Sequence, residues 1–355
     1  MRSLLATVLF LGIAMNLQAA TYLYVSMAPE QKIQIFRLEP ADGKLTPVET
    51  MAVDGTPGCL SVDPKKKYLF ATLRSNATLA SFEIDQATGK LKLLSTVPLG
   101  KGENAAFVRT DLSGRWLISA SYTGGKVVVH RIDEGKIQAT PVQVLETAKT
   151  AHCVAIDPEN RWVFVPHVSL NAVLQFHQDP STGKLTEAGK AEGGGEKVGP
   201  RHLAFHPSQP LAFSSDEVKS TITAYRFDAA TGLKAFQNLS TLPADYKQNN
   251  TTAEVKVHPS GKFVWVSNRG QDSLAGFAID AKTGALSPLG QTPTEQTPRS
   301  FEIEPDGKYL FGAGEGSGKL AVYEIAPDTG KLTALRTLDI GKSVTWVLAV
   351  KFPEK

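Results

Sequence analysis

One phrase recurs along almost the whole chain: an acidic or His residue, Pro, a short turn, an aromatic-rich strand, a further strand, and a turn ending Gly-Lys-Leu. Asp63-Pro64, Tyr68-Leu69-Phe70 and Gly89-Lys90-Leu91 return as Asp157-Pro158, Trp162-Val163-Phe164 and Gly183-Lys184-Leu185, and again as Glu304-Pro305, Tyr309-Leu310-Phe311 and Gly330-Lys331-Leu332. With the first apolar residue of the central strand as marker, the units start at Tyr22, Tyr68, Trp116, Trp162, Leu211, Phe263 and Tyr309. These seven units are spaced 46, 48, 46, 49, 52 and 46 residues apart. A unit of this size, built from short strands, cannot bury its faces alone and must stack on its neighbours. Seven of them predict an all-β, seven-bladed β-propeller of four-stranded antiparallel blades.

A chain of 355 residues would ordinarily divide into two or three domains. The repeat overrides that expectation and predicts a single propeller over residues 21–355. The formal net charge is +3, and Lys and Arg do not cluster into the basic face that nucleic acid requires. Lys65-Lys66-Lys67 lies between Pro64 and Tyr68 and reads as a solvated hairpin turn. Residues 1–20 differ in kind: Arg2, an apolar stretch from Leu4 to Met15, then Asn16 to Ala20. This is the layout of a secretory signal, with an apolar core too short to span a bilayer. The expectation is an exported protein, periplasmic or secreted, that starts near Ala20 or Thr21 and has no membrane attachment after signal removal. The two cysteines, Cys59 and Cys153, each precede a Pro by five residues. They fall in separate blades at the same register, so both are expected to be buried free thiols.

Each unit reads as four strands. Pro turns separate the first two, period-two alternation marks the third (Thr221 to Phe227), and a Thr-Gly turn leads to a shorter outer strand. The first unit begins at Tyr22 without a strand leading into it, while Thr345 to Val350 follow the last unit, trailed by Phe352-Pro353. This C-terminal strand is expected to complete the first blade and close the ring.

Irregularities in the repeat point to function. Six residues before the turn Pro stand Gly58, His152, Arg201, Ala253 and Arg299, with Ala106 in the unit where Leu112 replaces Pro. Ten residues after it stand Arg74, Tyr122, Val168, Glu217, Arg269 and Glu315. Antiparallel neighbours place the start of one strand beside the end of the next, so both sets belong at one end of the ring. Singly, each has a plainer reading: a strand-end His is ordinarily a hydrogen-bonded structural group, and an exposed Arg or Glu a solvated charge. Convergence of so many ionisable groups on one face favours a binding site. His206 and His258 occupy the acidic pre-Pro slot at the far end and are expected to be structural. His130, His167 and His177 have no partner legible in the sequence. The run Gly193-Gly194-Gly195-Glu196-Lys197 lacks phosphate-loop spacing and reads as a loop.

Three segments carry a resemblance: Gly199-Pro200-Arg201-His202-Leu203-Ala204-Phe205-His206-Pro207, Ser267-Asn268-Arg269-Gly270-Gln271-Asp272-Ser273-Leu274, and Thr297-Pro298-Arg299-Ser300-Phe301. In order and at blade spacing, they resemble the seven-bladed propeller lactonases, the family of bacterial 6-phosphogluconolactonase and fungal carboxy-muconate lactonising enzyme. The resemblance implies catalytic roles for His152, Arg201, Glu217 and Arg269, four residues the register also selects. Arg299 and Glu315 from the register, with His202 and Asn268 from the matching segments, are the expected substrate contacts, and the family commonly has Gln in place of Glu315. It also implies hydrolysis of a sugar-type or carboxylated lactone. His152 or Glu217 would be the base, and the Arg forks would hold an anion or the developing oxyanion. No cofactor or metal is called for, the partner is a small lactone, and a monomer is expected. Two further readings are a muconate-type lactonising enzyme, which the same Arg clamp would serve, and a secreted propeller that binds protein or glycan without turnover.

Overall fold

The computed structural model describes residues 20–100 and 102–353. The leader read at residues 1–20 falls, apart from Ala20, outside the described residues. Seven antiparallel sheets form a ring of blades. The first is ordered Val344–Lys351, Thr21–Met27, Lys32–Leu38, Leu45–Ala52. The C-terminal strand therefore supplies the inner strand of the first blade, pairing from Thr21↔Lys351 to Met27↔Val344. Closure of this kind covers the sheet edge that a chain beginning at Thr21 would otherwise expose.

The repeat's aromatic marker and its turn glycine turn out to be two halves of one contact. Gly89 adopts φ +73°, and a Cβ there would run into the ring of Tyr22 in the preceding blade. The same packing joins Tyr68 to Gly135, Trp116 to Gly183, Phe263 to Gly330 and, closing the circle, Tyr309 to Gly43. Tyr24 adds a hydrogen bond from its hydroxyl to the Gly89 carbonyl, at 2.9 Å. A large apolar side chain stabilises by about 1.5–3 kcal/mol when fully buried, and here Tyr22, Trp116, Phe263 and Tyr309 are buried across a blade interface and Tyr68 partly so. This explains why a propeller unit cannot stand alone. At the far end of the ring His206 Nε2 meets the Gly261 carbonyl at 2.9 Å and His258 Nε2 the Gly307 carbonyl at 2.8 Å. Both are blade-to-blade ties, in keeping with the structural role expected for them.

Two blades are irregular. In the third, the outer strand is split into Lys136–Ile137 and Gln143–Glu146, both paired with Lys126–Asp133. Pro141 lies between the two pieces and has no N–H for the ladder. In the fourth, the inner strand shrinks to Ala155–Ile156. Its partner Trp162–His167 contains Pro166, so regular pairing opens across Ala151–Val154. Cys59 and Cys153 are both buried free thiols.

Candidate active site

Every inner strand carries one extra residue at the same place. Pairing jumps from Pro200↔Asp216 to His202↔Ser215, leaving Arg201 unopposed. It jumps from Pro298↔Gly314 to Ser300↔Ala313, leaving Arg299, and from Ala105↔Ser121 to Phe107↔Ala120, leaving Ala106. Shifts at the matching point lie at Gly58-Cys59, Ala253-Glu254 and Thr345. In the fourth blade His152 sits between the bridge Ala151↔His167 and the pair Ala155↔Phe164, its N–H donating to the Pro166 carbonyl at 3.1 Å. The register slot six residues before Pro is thus a ring of β-bulges, a device that bends the strand and re-aims a side chain. Here the bulges turn His152, Arg201 and Arg299 towards one end of the channel.

These three line a cavity of about 460 Å³ together with Glu315, Arg74 and Asn104. Trp346 and Thr345 from the closing strand complete the wall. Arg201 is 1% exposed. Its Nε lies 3.5 Å from Glu217 Oε2, yet neither Nε nor Nη1 has a hydrogen-bond partner among the described residues. Glu217 Oε1 accepts from Arg269 Nη2 at 2.7 Å, and the same Nη2 donates to the Thr252 carbonyl at 2.9 Å. Arg299 Nη1 is 3.7 Å from Glu315 Oε2, and Arg74 Nε donates to Asn104 Oδ1 at 2.7 Å. His152 Nδ1 lies 3.1 Å from His202 Nε2, and His202 Nδ1 lies 2.7 Å from Glu254 Oε1. Tyr122 packs edge-on against His152 with ring centroids 5.6 Å apart.

The electrostatics follow from burial and crowding. Burial, then the charges of Arg201, His202 and Arg299, holds the His152 imidazole well below its ordinary 6.5, so it is neutral near pH 7. Burial raises the Glu217 carboxyl, but Arg201 and Arg269 outweigh it and the net shift is downward. Burial, then Arg269 and Arg299, disfavours charge on Arg201. Among the described residues, no group of three or more His, Cys, Asp or Glu is placed to hold a metal ion.

Of the residues read from the sequence, His152, Arg201, Arg299 and Glu315 form the cavity wall. Glu217 and Arg269 meet it through Arg201 rather than lining it. His202 is 2% exposed and stands beneath His152 instead of facing the cavity as a substrate contact. Asn268 departs furthest from expectation. Its amide accepts from Thr241 Oγ1 and Asn250, and donates to the Thr241 carbonyl and Ser273, so its hydrogen bonds all go to the blade scaffold. Glu254, Thr345, Asn104 and Trp346 were not singled out from sequence. The slot one residue after the bulge would have pointed to Glu254, since it also holds Cys59, Phe107, Cys153, His202 and Ser300.

A propeller whose bulged inner strands gather a His and several Arg at one channel mouth is the architecture of a lactone-hydrolysing class. The chain belongs to the lactonase, 7-bladed β-propeller family, whose model matches residues 19–349. It is 33% identical over 283 residues to the 6-phosphogluconolactonase of Pectobacterium carotovorum subsp. carotovorum, covering 78% of this chain and 83% of that protein. It is 30% identical over 326 residues to the 6-phosphogluconolactonase of Yersinia enterocolitica, covering 91% and 96%. The fold superposes on the periplasmic gluconolactonase of Pseudomonas aeruginosa with a TM-score of 0.86 at 23% identity, covering 94% of this chain and 100% of that one.

Proposed function

We propose that the cavity hydrolyses a sugar-type lactone bearing an anionic group, a phosphate or a carboxylate, with His152 as the base. The observation that carries this reading is Arg201: a buried guanidinium whose Nη1 has no hydrogen-bond partner among the described residues, in the same wall as a neutral imidazole. Buried donors without partners are rare, and in a cavity they are aimed at a ligand. Arg74 and Arg299 share that cavity with Arg201, and such like charges are relieved when an anion binds between them.

His152 takes a proton from water as the oxygen attacks the lactone carbonyl. The negative charge on the carbonyl oxygen is received by the Arg201 fork. As the tetrahedral intermediate collapses, the ring C–O bond breaks and the departing alkoxide takes the proton from the imidazolium. The products are a hydroxy acid and the free base. Arg299 and Arg74 hold the substrate's own anionic group. Glu217, held low by two guanidinium groups, braces Arg201 and is a poor base. The relatives' names support the sugar-lactone class, and the leader read at residues 1–20 supports work outside the cytoplasm.

The test is initial-rate proton release with gluconolactone, its 6-phosphate and a carboxy-muconolactone. Turnover of an anionic sugar lactone by the wild type, lost in His152→Ala with the fold retained, is the expected result. No turnover on any lactone, or full activity without His152, would end the proposal.

A further inference from the structure

Below the cavity floor the channel holds a buried chain of groups that lactone chemistry at His152 does not by itself require. His202 Nδ1 sits 2.7 Å from Glu254 Oε1, and His202 Nε2 sits 3.1 Å from His152 Nδ1. Glu254 is 3% exposed and His202 2%. His202, beside the bulge of the fifth blade, and Glu254, at the bulge of the sixth, stand one and two places round the ring from His152. Lys256 lies 3.0 Å from Glu302 and 6.0 Å from the Trp346 ring.

We propose that Glu254 and His202 are positioning residues that fix the tautomer of His152, leaving its Nε2 lone pair facing the cavity as the base. This rests on the lactonase reading for its catalytic consequence, though not for its structural content. The proton positions follow from donor and acceptor capacity. An ionised carboxylate can only accept, so His202 must donate from Nδ1. A neutral His202 then has a lone pair on Nε2, which can only accept, so His152 must donate from Nδ1. That leaves Nε2 of His152 without a proton. When it takes one from water, the carboxylate at the end of the chain stabilises the new positive charge through the intervening ring. Without the chain, His152 would be free to place its proton on Nε2 and present no base to the cavity.

The charge states agree with this assignment. Burial raises the Glu254 carboxyl, but His202 and Lys256 together bring it down to about 2, so it is ionised. Burial, opposed by Glu254, brings His202 down to about 4, so it is neutral near pH 7. The charged groups acting on the pair are Arg201 on the cavity side and Lys256, itself paired with Glu302, on the channel side, where Arg109 lines the same wall; Arg299 and Arg74 act on His152.

Two measurements test this separately from the lactonase reading. In ¹⁵N-histidine-labelled wild-type protein near pH 7.5, long-range ¹H–¹⁵N correlation spectra report which nitrogen of His152 carries the proton. A proton on Nδ1 supports the chain, and a proton on Nε2 overturns it, whatever lactone the protein does or does not hydrolyse. In turnover, Glu254→Gln should lower kcat roughly 10- to 100-fold with KM nearly unchanged. It should also move the acid limb of the kcat profile to lower pH, because the imidazolium loses its counter-charge. His202→Gln, whose amide can still accept from His152 and donate to Glu254, should retain more activity than His202→Leu. An unmoved acid limb in Glu254→Gln, or equal rates in the two His202 variants, would overturn the positioning role.

Discussion

Arg269 Nη2 donates to Glu217 Oε1 at 2.7 Å, so the carboxylate that one blade delivers to the channel mouth is held by a guanidinium from the next. Its other oxygen lies 3.5 Å from Arg201 Nε. A carboxylate between two Arg is a brace, and the charge that fixes it also lowers its basicity. Glu217→Gln is therefore expected to reduce kcat/KM about 10-fold, through a looser Arg201. His152→Ala should lose at least about 100-fold in kcat. Steady-state kinetics of the two variants decide the matter: if Glu217 were the base, the order of the losses would reverse.

Arg299 lines the cavity with its nearest carboxylate, Glu315, 3.7 Å away. A charge-assisted bond from the Arg299 guanidinium to a substrate phosphate contributes about 1.5–3 kcal/mol, which is roughly 10- to 100-fold in selectivity. Wild-type kcat/KM should favour 6-phosphogluconolactone over gluconolactone by that margin. Arg299→Ala should narrow the gap mainly through KM on the phosphorylated substrate, leaving gluconolactone nearly unaffected. Equal losses on both lactones would remove Arg299 from the anion anchor.

The ring was legible because its repeat is a packing rule: Tyr22 and Gly89, or Tyr309 and Gly43, recur together since each pair forms one blade interface. The channel mouth was legible for the same reason, as equal register means equal height, and His152, Arg201 and Arg299 share the bulge position. Asn268 misled because it sits within a family-like segment while its alternation points it into the blade, where Thr241 and Ser273 satisfy it. Glu254 was missed because the bulge displaces a second residue into the channel, and one strand read alone does not reveal a bulge. Glu217 lay at the right place, but its pairing with Arg269 is a contact between blades that one strand read alone does not reveal.

The closing strand Val344–Lys351 buries Val344, Trp346, Val347 and Val350. At about 1.5–3 kcal/mol for each large apolar side chain, its removal costs about 6–12 kcal/mol for these four, comparable with the roughly 5–15 kcal/mol that holds a typical domain together. It also exposes the full edge of Thr21–Met27. Truncation after Lys342 should abolish the cooperative thermal transition seen by circular dichroism at 218 nm (about the β-sheet minimum). A truncated chain that melts within a few degrees of wild type would show that the ring is closed by other contacts.

His130 offers a pH test independent of the site. It lies on Lys126–Asp133, is 2% exposed, and its Nδ1 has no hydrogen-bond partner among the described residues. Burial pushes its imidazole down to about 4. The unfolded chain, with an ordinary value near 6.5, binds the proton more readily than the folded one. Stability from this group is therefore complete above about pH 6.5 and falls as the pH drops towards 4. By pH 4.5 the loss amounts to about 2 kcal/mol. His130→Leu removes the titration, so the stability difference between variant and wild type in urea unfolding should shift in the variant's favour by about that amount between pH 8 and 4.5. A difference that stays constant across this range would mean that the buried ring is protonated as easily in the folded protein as in the unfolded chain.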